Sequence, residues 1–111
     1  MTDLNRIFAA LADETRFKVV EHLMAQGEQP AGSLTELAGL SAPAVSRHLK
    51  VLREANLVSQ RVEGTHRYYS VRSEALRSIS DWTLEHRAFW AGSLDRLDTL
   101  LALDPDGKDT A

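Results

Sequence analysis

The fold turns on residues 33–52, Ser33-Leu34-Thr35-Glu36-Leu37-Ala38-Gly39-Leu40-Ser41-Ala42-Pro43-Ala44-Val45-Ser46-Arg47-His48-Leu49-Lys50-Val51-Leu52. Ser33 to Glu36 has the form of a capping box, in which the serine caps a helix and the glutamate reaches back from three residues on. It predicts a short helix from Leu34 to Ala38, stopped by Gly39. Ser41 is the next cap, opening a helix from Ala42 to about Ala55. Only Gly39 and Leu40 lie between the first helix and this second cap, so the two helices must cross steeply. Helix, glycine turn, second helix is the layout of a helix-turn-helix.

The second of these helices has two stripes. At 100° per residue, Val45, His48, Leu49 and Leu52 share one side, and Pro43, Ser46, Arg47 and Lys50 share the opposite one. One side packs the domain. The other offers small, hydroxyl and cationic groups near the helix N-terminus, the part that enters the major groove in a helix-turn-helix. Arginine can pair with a guanine edge, serine can bond a base or a phosphate, and lysine can neutralise a phosphate. A solvated polar face would look the same in isolation. The capping pattern before it and a basic hairpin after it favour DNA.

Upstream, Leu4, Ile7, Phe8 and Leu11 recur at helical spacing over residues 3–12. Asp13 reads as the N-cap of a helix to about Gln26 that buries Phe17, Val20, Leu23 and Met24 and stops at Gly27. Gln29-Pro30-Ala31-Gly32 reads as a loop. Downstream, Val58 to Val62 and Arg67 to Val71 are β-prone runs around Glu63-Gly64-Thr65-His66, a hairpin over residues 57–72. Arg61 and Arg67 flank its tip and are placed to reach phosphates. Tyr68 and Tyr69 point to opposite faces, so at least one packs the core. Ser73 reads as the cap of a long helix to about Leu103, with a bend expected at Gly92. Residues 104–111 read as a flexible tail. The expectation is one domain over 1–103, mainly α with a small β-hairpin wing.

The 111-residue chain is 43% hydrophobic and 26% charged, the balance of a folded protein with an apolar core. It has no cysteine, which excludes disulfides, thiolate metal sites and thiol nucleophiles. No apolar run nears the roughly 18 residues of a membrane span, and the N-terminus lacks a basic signal-like start, so a cytoplasmic protein is expected. The net charge of -3 hides an asymmetry. Residues 41–77 carry Arg47, Lys50, Arg53, Arg61, Arg67, Arg72 and Arg77 against Glu54, Glu63 and Glu74, a net of +4 between acidic flanks. A basic middle aims one surface at a polyanion.

Asp13-Glu14-Thr15-Arg16, Ser33 to Leu37, the Ser41–Leu52 block and Gly64 to Tyr69 together resemble the arsenical-repressor-type (ArsR) family of bacterial winged-helix regulators. The likeness spans residues 4 to 103. It implies a homodimer on an inverted-repeat DNA operator, usually a repressor, released by an inducer that the sequence does not identify. It implies direct DNA contact by Ser41, Ala42, Pro43, Ser46, Arg47 and Lys50, with Arg61 and Arg67 on the wing. It also implies a dimer interface built by the first and last helices. Leu4, Ile7, Phe8, Trp82, Phe89, Trp90 and Leu97 supply more apolar surface there than so thin a domain covers.

The metal-sensing members of the family keep paired cysteines on the helix occupied here by Leu34–Ala38, or Asp/His/Glu sets on the last helix. The first set cannot form here. Asp81, Glu85 and His86 could begin the second, but its paired ligands are missing, so no metal or other cofactor is expected. His22 and His48 read as core histidines. The competing readings are a winged helix that binds protein instead of DNA, and a metal-sensing repressor using His and carboxylate ligands. An enzyme is a poor fit: Ser46 and His48, two apart on a helix, face different ways and cannot form a nucleophile–base pair.

Overall fold

The computed structural model describes residues 3–103, so the expected 104–111 tail lies outside the described residues. Residues 3–79 fall in one compact unit and 80–103 in a second. The first unit begins with α1 (Leu4–Leu11), capped by Asp3, whose Oδ1 accepts from the backbone of Asn5 and Arg6. Helix α2 (Glu14–Gln26) starts at the predicted Asp13 cap and ends at Gly27 with φ of 77°, a left-handed value that glycine adopts without a Cβ penalty. Two of its expected core residues are wrong. Phe17 and Met24 are exposed, and Val19 joins Val20 and Leu23 inside.

The capping box is overturned. Helix α3 (Ala31–Ala38) begins nearly a turn earlier, at Pro30, with no side-chain cap, and Ser33 sits within its first turn. Proline lacks an N–H and has a fixed φ, so it suits a helix entrance and shifts the start upstream. The expected loop at Gln29-Pro30 is instead a short strand, β1 (Gln29–Pro30). Gly39, left-handed at φ of 66°, ends α3 as predicted. Ser41 then caps α4 (Ala42–Glu54), its Oγ accepting from Ala44 N at 3.3 Å, and Pro43 stands in the first turn, where no N–H is missed. Asn56, with φ of 58°, turns the chain out of α4 in a conformation that asparagine tolerates better than most residues.

Strands β2 (Val58–Glu63) and β3 (His66–Val71) form the hairpin, with Glu63 opposite His66 and Gly64-Thr65 as the turn. Gly64 has positive φ and Thr65 does not, the pattern of a II′ turn with glycine first. Strand β1 adds to β3, Gln29 facing Tyr69 and Pro30 facing Tyr68, so the antiparallel order is β1-β3-β2. The core gathers Ile7, Val19, Leu34, Val45, Leu52, Leu57 and Val58, all under 2% exposed or at that value. Burial on this scale contributes about 1.5–3 kcal/mol per large side chain.

Helix α5 (Ser73–Glu85) starts at Ser73 itself, with Ala75 N bonded to Arg72 O. The long helix then breaks at His86, not at Gly92, and resumes as α6 (Arg87–Leu103). His86 N bonds Thr83 O at 3.2 Å, the tighter i→i−3 spacing of a 3₁₀ turn. The His86 ring also reaches back, and its Nδ1 donates to Trp82 O at 2.8 Å. A glycine weakens a helix by propensity alone, whereas a side chain that bonds a carbonyl of the preceding turn can hold a break open.

Candidate nucleic-acid interface

Helix α4 carries the two stripes that the sequence lays out. Val45, Leu49 and Leu52 are buried, while Ser41, Ala42, Pro43, Ser46, Arg47 and Lys50 are exposed. Arg47 and Lys50 make no ion pair among the described residues, so both cations are available to an anionic partner. The cap at Ser41 fixes where this face begins, and α3 packs across the back of the helix.

The wing divides its two arginines. Arg61 is committed: Nε donates to Glu28 Oε2 at 3.1 Å, Nη2 to Glu28 Oε1 at 2.8 Å, and Nη1 to Glu63 Oε2 at 2.6 Å. Its guanidinium also lies 4.6 Å from the Tyr68 ring centre. The two carboxylates raise the Arg61 pKa, and the Arg61 hydrogen bonds hold the Glu28 carboxyl below its ordinary value against the opposing effect of burial. This forked pair ties β2 to the segment after α2. Arg67 is exposed and makes no ion pair among the described residues. With Thr65, His66, Pro30, Ala31 and Gly32 it lines an open groove of about 390 Å³ at the α3 entrance. Tyr69 is the core tyrosine; its hydroxyl accepts from Gln60 Nε2 at 3.3 Å, and Arg53 in turn donates to Gln60.

A second cluster sits behind α4. His48 is half-buried, with Nδ1 3.4 Å from Arg16 Nη1 and 3.7 Å from Asp13 Oδ2. Arg16 Nε donates to Ala10 O at 2.7 Å, so one guanidinium bridges α1, α2 and α4. Asp13 is held below its ordinary pKa, first by the Arg16 backbone N–H, with burial opposing and the Arg16 guanidinium and His48 assisting. Sequence spacing gives no warning of either network, since Arg16–His48 and Glu28–Arg61 join residues 32 and 33 apart.

The residues expected at a dimer interface separate in the same way. Ile7 is 0% exposed and belongs to the core of its own protomer, so it cannot serve a partner. It lies on the inward stripe of α1, while Leu4 is half-buried and Phe8 is exposed. In the second unit Trp82, Phe89, Trp90 and Leu97 are all exposed. Among the described residues no group of three or more His, Asp or Glu side chains is gathered as a metal site. No helix among them is long and apolar enough to cross a membrane.

Residues 13–60 match the family model for the bacterial regulatory protein, arsR family. Over 106 residues the chain is 39% identical to the HTH-type transcriptional regulator Rv2034 of Mycobacterium tuberculosis, covering 96% of this chain and 94% of that protein. The chain belongs to the ArsR family. It is also similar to the transcriptional repressor SdpR of Bacillus subtilis, 33% identical over 73% of this chain and 89% of that protein. Among solved structures, the homodimeric winged helix-turn-helix DNA-binding domain Mb0332 from Mycobacterium bovis superposes with a TM-score of 0.60 at 29% identity, covering 75% of this chain and 82% of that one. The protein is thus an ArsR-family transcriptional regulator with a winged helix-turn-helix fold. Its wing is a three-stranded antiparallel sheet, one strand more than the sequence suggested.

Proposed function

We propose that the protein is a homodimeric repressor that binds an inverted-repeat operator in duplex DNA, is released by a small-molecule inducer, and works in the cytoplasm without catalysing a reaction. The observation that carries this reading is α4. Its buried stripe docks on the domain and its opposite stripe presents Ser46, Arg47 and Lys50 to solvent with the cations unpaired among the described residues. Such a helix fits the major groove, with Arg47 reading a base edge and Lys50 and Ser41 on phosphates. Ala42 and Pro43 are small enough to let the backbone come close. Arg67 extends the contact along the wing, while Arg61, already neutralised by Glu28 and Glu63, sets the wing's position.

The dimer reading draws on SdpR and Mb0332 as relatives, one named a repressor and the other a homodimer. Leu4, Phe8, Trp82, Phe89, Trp90 and Leu97 are the residues proposed to meet the partner subunit. The deciding experiment is a fluorescence-anisotropy titration against the DNA upstream of the protein's own coding sequence and a scrambled duplex, at two salt concentrations. Selective binding that weakens steeply with salt is expected, because phosphate contacts release counterions. No binding to either duplex at low salt would move the assignment to protein recognition and make Arg47 and Lys50 ordinary surface charges.

A further inference from the structure

We propose that His48 is a positioning residue of the DNA-reading helix whose Nδ1 holds Arg16 when neutral and turns to Asp13 when protonated, so that DNA binding is linked to a proton. This rests on the DNA-binding reading of α4. The geometry allows one partner at a time. Nδ1 lies 3.4 Å from Arg16 Nη1 and 3.7 Å from Asp13 Oδ2. A guanidinium only donates and a carboxylate only accepts, so a bare Nδ1 bonds Arg16 and an Nδ1–H bonds Asp13. The two states differ in what α4 is tied to. Through neutral His48, α4 is joined to Arg16, and by Arg16 Nε to the Ala10 carbonyl at the end of α1. Through protonated His48 it is joined only to the cap of α2, and two cations are left side by side.

His48 is on α4 between Arg47 and Lys50, so any change in how the ring is anchored acts on the turn that carries both proposed DNA contacts. The charged groups facing the ring come from α2, namely Asp13 and Arg16. From α1, Arg6 shares a cleft of about 320 Å³ with Arg16 and with Glu54 of α4. Neither α3 nor β2 places an ion-pair partner on the ring among the described residues, and Arg53 of α4 is engaged by Gln60. The capping bond from the Arg16 backbone holds Asp13 below its ordinary pKa, which favours a charged carboxylate as the second partner.

Two measurements test this. The first is the ring tautomer at pH 8 by two-bond ¹H–¹⁵N correlation on the full chain. Protonation at Nε2 is expected; a neutral ring protonated at Nδ1 would overturn the Arg16 contact. The second compares operator affinity of the wild type and His48→Asn between pH 8 and pH 5.5. The asparagine Oδ1 stands near the Nδ1 position and accepts from Arg16 at every pH. Relative to His48→Asn, the wild type is expected to lose affinity about five- to tenfold as the pH falls, a comparison in which every other residue is common to both proteins. Asp13→Asn keeps the helix cap, since asparagine caps as well as aspartate, and is expected to shrink that difference. Identical pH profiles for wild type and His48→Asn overturn the linkage. Absence of DNA binding by both at every pH overturns the DNA reading and the linkage with it, while the tautomer still reports the Arg16 contact.

Discussion

Arg61 and Arg67 look equivalent along the chain, two arginines flanking one hairpin tip, yet their surroundings give them different work. Arg61 faces two carboxylates within 3.1 Å, and Arg67 makes no ion pair among the described residues. A cation already neutralised releases few counterions on meeting a phosphate. Arg67→Ala is therefore expected to lower the slope of log K against log salt by about one, and Arg61→Ala to leave it nearly unchanged; anisotropy titrations across a salt series check both. Within α4, Arg47→Ala is expected to cost about 1–3 kcal/mol and to blur base preference, whereas Lys50→Ala should weaken all duplexes alike. Equal losses on operator and scrambled DNA for both variants would remove the readout role from Arg47. Acid acts on the anchoring carboxylates. Asp13 and Glu28 have pKa values lowered from 3.8 and 4.5, so their contribution to stability is complete above those values and fades as pH falls through the lower folded ones. Glu28→Gln should flatten the acid side of a thermal-melt pH series below about 4.5.

Two serines that read alike as helix caps part company in the same way one level up. Ser41 accepts the Ala44 N–H, whereas Ser33 lies inside the first turn of a helix that Pro30 starts. Ser41→Ala is expected to lower stability by about 1 kcal/mol, and Ser33→Ala to leave it unchanged within about 0.5 kcal/mol. Thermal or urea melts of the two variants side by side distinguish them, and equal losses would restore the capping box. The comparison marks what is legible in a chain of this kind. Helix periods, the Asp13 and Ser41 caps, the glycine stops at Gly27 and Gly39 and the two stripes of α4 are local patterns, set by residues within a few positions of one another. The β1 strand depends on β3 nearly forty residues away, and the break at His86 depends on one ring reaching back to a carbonyl. The Arg61 and Arg16 networks depend on tertiary approach. Nothing in a linear pattern encodes such partners, so the exposed stripe of α4 could be read from the sequence and the groups that position it could not.

The charge and apolar surface of the whole molecule set its last requirement. On α6, Phe89, Trp90, Leu94, Leu97, Leu100 and Leu101 are all exposed. At 100° per residue they share an arc of roughly 140°. A soluble helix does not leave so continuous an apolar arc in water, and such patches mark association. The proposed homodimer would cover it, since a two-fold contact places the same stripe on both subunits. It would also supply what one copy of α4 lacks, a second reading helix one DNA turn away on the proposed inverted repeat. Leu97→Glu tests the connection. Losing one buried leucine removes about 1.5–3 kcal/mol, and the two-fold axis counts it twice, so the dimer should weaken by at least 3 kcal/mol, or more than about 100-fold in Kd. Sedimentation equilibrium is expected to find a monomer at micromolar concentration where the wild type is a dimer. Operator affinity should fall with it while weak binding to scrambled duplex persists, because each protomer keeps Arg47, Lys50 and Arg67. A variant that stays dimeric would move the interface off α6.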